Sequence, residues 1–131
     1  MTEPPDRLLR NALRGNATFS SACGLISIAG ATPLASALGT GPPYSLVALG
    51  AQLLVFAAFL VWLASRPAIR PALALAVVTA DALWVVGTLP LLVAGVLTPT
   101  GSWTAFAIAQ VVAVFAGVQY VGVRRLRAVA A

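Results

Sequence analysis

Histidine is absent from these 131 residues, cysteine occurs once, and only three acids are present. All eight basic residues are arginine, so lysine is absent too. Each absence excludes something. Without His, the usual haem, zinc and copper sites have no ligand set, and Ser-His-Asp catalysis is unavailable. Without Lys, Ser-Lys catalysis is excluded as well. The lone Cys23 rules out an intrachain disulfide. No P-loop, GxGxxG, HExxH or CAAX ending occurs. The residues therefore argue against an enzyme, and no cofactor or metal is expected.

What the chain has in abundance is apolar sequence. Hydrophobic residues make up 60% and charged residues 8%, against roughly a quarter charged in soluble domains. Four blocks, 17–38, 44–64, 72–96 and 103–123, reach the span of about 20 residues that a hydrocarbon core requires. None contains Lys, Arg or Glu. The expected fold is all-α: a single domain, 1–131, forming a four-helix transmembrane bundle that runs up-down-up-down.

The arginines orient it. Arg7, Arg10 and Arg14 precede the first block; Arg66 and Arg70 lie between the second and third; Arg124, Arg125 and Arg127 follow the fourth. The connections 39–43 and 97–102 carry no charge. Positive-inside counting then places both termini and the middle loop in the cytoplasm. The net charge of +5 is read as a topology signal, with no nucleic-acid partner. Tyr44 and Trp103 mark the outer boundary, and Trp62 and Tyr120 the inner one, as an aromatic belt. An Ala-rich composition with Arg in place of Lys fits a GC-rich bacterial genome, which implies the bacterial inner membrane.

At the N-terminus, Arg7, Arg10 and Arg14 share one helical face while Leu9 and Leu13 fall near another. Residues 6–14, with Asp6 as N-cap, are expected to lie as a short amphipathic helix at the inner surface, within an N-terminal segment 1–15. A C-terminal tail, 124–131, is expected in the cytoplasm. Arginines, an apolar run and Ala35-Ser36-Ala37 imitate a signal peptide, but the run exceeds a usual h-region and no cleavage is expected.

The halves resemble each other. Gly30-Ala31-Thr32-Pro33-Leu34 matches Gly87-Thr88-Leu89-Pro90-Leu91 as GxxPL, and Val55-Phe56-Ala57-Ala58 matches Val114-Phe115-Ala116-Gly117. This points either to a tandem repeat of two helical hairpins or to chance similarity among Ala-rich segments. Pro33 and Pro90 would each free a backbone carbonyl, at Ala29 or Val86, and kink the helix.

Asp81 is the only acid after Asp6 and the only formal charge within the blocks. It lies about 13 Å into a core of about 30 Å. Such an acid costs roughly 2.5–3.5 kcal/mol on insertion scales, so a partner, a ligand, a proton or a wet cavity should offset it. Trp84 and Thr88 share its face. Asn16, Ser20, Cys23 and Ser27 form a polar stripe on the first span. Gln52 and Gln110 enter from the outer side and are expected to hydrogen-bond each other, while Gln119 lies near the inner boundary. Ala109, Ala113 and Gly117 form a ridge of small residues suited to close helix packing or to a homodimer.

Asn16-Ala17-x-Phe19-Ser20, Asp81-x-x-Trp84-Val85-x-Gly87 and Gln119-x-x-Gly122-x-Arg124-Arg125 resemble a pattern in small bacterial four-helix integral membrane proteins of unassigned function. The resemblance spans most of the chain and implies a fold but no activity. In size the chain is also similar to small multidrug-resistance transporters. Those carry an essential Glu in the first helix, whereas the first block here has no acid.

Two functions remain open. In one, the protein sits in the lipid bilayer and binds or translocates a small molecule or ion at Asp81. Trp84, Thr88, Ser20, Ser27, Gln52 and Gln110 would then line its track. In the other, it is a non-catalytic scaffold or accessory subunit whose buried polar residues only fix helix packing.

Overall fold

The computed structural model describes residues 3–130 and is all-helical over them, with no strand. Five helices follow in order: α1 (Arg7–Ala29), α2 (Ala31–Leu38), α3 (Pro43–Ala64), α4 (Pro71–Ala94) and α5 (Pro99–Ala130). Met1, Thr2 and Ala131, the extreme ends of the expected N-terminal segment and C-terminal tail, lie outside the described residues. Proline starts three of the helices, where its missing N–H has no intrahelical partner to lose. Gly39 and Gly95 end α2 and α4 at φ of 75° and 65°, a left-handed cap that glycine adopts without strain. Helices α3, α4 and α5 are each long and apolar enough to cross a membrane. Helices α1 and α2 form a fourth candidate as a pair bent by 97°. These helices mark a membrane protein.

The structure departs from the helices expected from sequence in three places. First, residues 6–14 do not form a separate surface helix. They are the opening turns of a continuous α1, because Leu9 and Leu13 are fully buried against the rest of the fold. Asp6 occupies the N-cap position without capping. Its carboxylate pairs instead with Arg10, which also donates to the carbonyls of Ala64 and Arg66 and so ties α1 to the end of α3. Second, the block 17–38 is not one straight helix but breaks at Gly30. Pro33 then falls in the first turn of α2, where a proline is tolerated. Third, α5 runs through both ends of its expected span and keeps Arg124, Arg125 and Arg127 helical. The two GxxPL segments also part here, since α4 continues through Pro90 to Ala94.

Two helix pairs carry most of the packing, α1 with α3 and α4 with α5, and α1 joins them through α5. Helices α3 and α4 barely touch, which leaves that side of the fold open. Small residues allow the closest crossings. A Cβ on Gly50 would lie 2.6 Å from the Gly24 carbonyl oxygen, and one on Gly122 would lie 2.9 Å from Leu9 Cα. The arginine-bearing end is filled by Leu9, Leu13, Leu60, Leu63, Ile69, Val77 and Val123. At the opposite end α2 reaches across to α3 and α5. There Thr98 donates from its hydroxyl to Ala37 O (2.6 Å) and from its backbone N–H to Leu38 O (3.2 Å).

Candidate functional site

The site forms where three helices contribute one polar residue each at the same depth. Asn16 lies nine residues after the start of α1, Asp81 ten after the start of α4, and Gln119 eleven before the end of α5. At 1.5 Å per residue these are nearly equal distances from the arginine-bearing end. All three side chains are buried.

Their hydrogen bonds close a ring. Asn16 Nδ2 donates to Asp81 Oδ2 (2.8 Å) and to Gln119 Oε1 (3.0 Å). Gln119 Nε2 donates to the same Asp81 oxygen (2.8 Å). Ser20 Oγ donates to Asn16 Oδ1 (3.2 Å), fixing which way that amide faces. Both protons of Asn16 Nδ2 are thereby committed.

Asp81 Oδ1 is different, for no group among the described residues donates to it. Among the described residues, Thr40 Oγ1 is the one buried side-chain polar atom without a partner. The free carboxyl oxygen of Asp81 is therefore not sealed. Asp81 lines a cavity of about 190 Å³ bounded by α1, α3, α4 and α5. Phe19, Phe56 and Trp84 give the cavity aromatic walls, and Leu49, Leu53, Ile108 and Val112 complete its apolar lining. No arginine lines it. No group of three or more His, Cys, Asp or Glu able to hold a metal ion is found among the described residues.

Of the seven residues proposed from sequence for the Asp81 site and its track, five meet at this cavity: Asp81, Trp84, Ser20, Ser27 and Gln52; Asn16 and Cys23 of the polar stripe line it as well. Two of the seven do not line it. Thr88 is buried, and its hydroxyl donates to Trp84 O within its own helix (2.9 Å). Gln110 is exposed on α5. The expected hydrogen bond between Gln52 and Gln110 is not formed, because α1 lies between α3 and α5 and their backbones nowhere come close. The small-residue ridge divides as well: Ala109 is buried in the fold, whereas Ala113 and Gly117 face outward.

Asn16 and Gln119 are the site residues that sequence reasoning missed as partners of Asp81. The sequence places Gln119 near the inner boundary and Asn16 in the polar stripe of a first span counted from residue 17. Counting from the true start of α1 at Arg7 puts Asn16 level with Asp81. The aromatic residues Phe19 and Phe56 gave no signal beyond their hydrophobicity.

No family model matches this chain, and neither the curated proteins nor the solved structures contain a match to it. The chemistry of the cavity carries the functional reading alone.

Proposed function

We propose that this is a small integral membrane protein that binds or translocates a small molecule or ion at Asp81. The supporting observation is the asymmetry of the carboxyl group: Oδ2 is held by two amides while Oδ1 is left for the cavity. A packing role alone would be served by Oδ2 and offers no reason for an open, aromatic-walled space beside the other oxygen. The competing scaffold reading draws on the mutual satisfaction of Asn16, Asp81 and Gln119, and it predicts that no solute distinguishes wild type from Asp81→Asn.

In this reading the chain makes four passes, the first of them bent at Gly30. Both termini lie in the cytoplasm, as eight arginines at one end of the bundle favour. The bacterial inner membrane is the proposed location. A tandem origin for the hairpins α1–α3 and α4–α5 fits their pairing, with Gly30 and Gly87 as the point of divergence. A homodimer is proposed through the outward face of α5. Gln110, Ala113 and Gly117 share that face, and a second copy would supply the partner that the Gln110 amide lacks in hydrocarbon.

The test is ligand-linked stability. A solute that binds only the folded protein raises its melting temperature by mass action. Purified wild type and Asp81→Asn would be melted in detergent against sodium, potassium, ammonium and alkylammonium chlorides and against short alcohols. A solute that stabilises wild type and has less effect on Asp81→Asn supports the proposal. If every solute leaves both melting curves unmoved, the scaffold reading replaces it.

A further inference from the structure

The cavity at Asp81 also constrains the chemistry of its occupant. Among the described residues Asp81 and Cys23 are the only ionisable groups in its lining, so these residues give it no positive charge and offer an anion no partner. A hard metal ion fits no better. Calcium and magnesium take about six or more oxygen ligands. Here one free carboxylate oxygen, the Ser27 hydroxyl and the Gln52 amide are the main ones on offer.

An ammonium group fits the same features. Asp81 Oδ1 is free to accept an N–H bond from a cation, and a charge pair at this depth would offset the carboxylate's burial. The rings of Phe19, Phe56 and Trp84 line the same space; aromatic rings attract a cation and accommodate the apolar part of its carrier. Size narrows the class further. A dry cavity of about 150 Å³ holds a benzene ring, and the volume here is about 190 Å³. Drug-sized ligands occupy roughly 300–1,000 Å³. One ring with a short amine arm fills the space, whereas a multi-ring cation does not.

We propose that the cavity is a site for a small monovalent organic ammonium ion with an apolar body of about one ring. Its nitrogen bonds Asp81 Oδ1, and its body lies among Phe19, Phe56 and Trp84. Access is through the open side between α3 and α4, which a membrane-partitioned amine reaches laterally. This assignment rests on the ligand-binding reading above and specifies its substrate class.

The experiment uses the full chain with Trp62→Phe and Trp103→Phe, which leaves Trp84 as the sole tryptophan, in detergent micelles. Its emission is titrated with phenethylammonium chloride, with 2-phenylethanol as the uncharged counterpart and with tetraphenylphosphonium as an oversized cation. Phenethylammonium is expected to give a saturable change. Asp81→Asn should weaken it by at least about tenfold, the loss expected for a hydrogen bond to a charged group, and leave 2-phenylethanol unaffected. Phe56→Leu, which spares the polar ring, should weaken phenethylammonium more than 2-phenylethanol and keeps the test decisive if Asp81→Asn does not fold. Equal binding of phenethylammonium and 2-phenylethanol, insensitive to both substitutions, overturns the ammonium assignment but keeps a ligand cavity. Tighter binding of tetraphenylphosphonium overturns the size limit. If none of the three moves the Trp84 emission, the ligand-binding reading falls with the assignment.

Discussion

Replacing Asp81 by leucine should damage the fold far more than replacing it by asparagine. In wild type, Asn16 Nδ2 and Gln119 Nε2 both donate to Asp81 Oδ2. Asparagine keeps one carbonyl oxygen at that place, so both donors retain an acceptor and stability should change little. Leucine removes the acceptor and leaves two buried N–H groups unpaired. At about 1–3 kcal/mol for each unsatisfied donor, the loss is on the order of 2–6 kcal/mol. Hydrogen bonds between membrane helices average only about 0.6 kcal/mol in double-mutant cycles, because the unfolded chain also finds partners, so the lower end is expected. Equilibrium unfolding by SDS in mixed micelles measures the difference. The triple replacement Asn16→Leu, Asp81→Leu, Gln119→Leu removes the donors with the acceptor and should recover part of the loss. Equal stability of Asp81→Leu and Asp81→Asn would refute the idea that this ring of hydrogen bonds fixes the helices.

The same unfolding assay should rank glycine substitutions by the space around them. Gly50→Ala places a Cβ 2.6 Å from Gly24 O and should destabilise by forcing α1 and α3 apart, whereas Gly87→Ala meets nothing within 4 Å and should be neutral or slightly stabilising. A reporter fused after Ala131 should behave as cytoplasmic and one inserted at Gly41 as external; the opposite pattern would overturn the topology. Ala113→Leu should dissociate the proposed dimer in detergent, and an unchanged oligomer would remove this face of α5 from the interface.

The helical class and the apolar spans were legible because they depend on composition and length. The blocks 44–64 and 72–96 agree with α3 and α4 to within a few residues. The break at Gly30 was not legible. The corresponding Gly87 and Pro90 sit in an unbroken helix, so the local sequence alone does not choose. In the structure, the bend accompanies the docking of α2 on α5, where Leu38 O lies so near Gly101 that a Cβ there would be 2.0 Å away. That contact joins residues far apart in sequence. At the site, Asp81 stood out because a charge in an apolar run is costly wherever it lies. Asn16 and Gln119 did not, since an amide near a helix end is as comfortable in the headgroup region as in a buried network. Their common depth is set only by the continuation of α1 back to Arg7 and of α5 on to Ala130. Gln110 shows the reverse error: a polar residue within a span was assumed to face inward, and its helix turns it out.

Cys23, the lone thiol in the lining of the Asp81 cavity, reports directly on whether that cavity is accessible. The measurement is the rate at which Cys23 is modified in the folded, membrane-embedded protein by two methanethiosulfonate reagents of similar size. One carries an ethylammonium group and the other an ethylsulfonate. An accessible cavity governed by the Asp81 carboxyl should give modification without unfolding, faster for the cationic reagent, with the preference reduced in Asp81→Asn. A thiol that reacts only after denaturation, or that reacts equally with both reagents in both proteins, would contradict it.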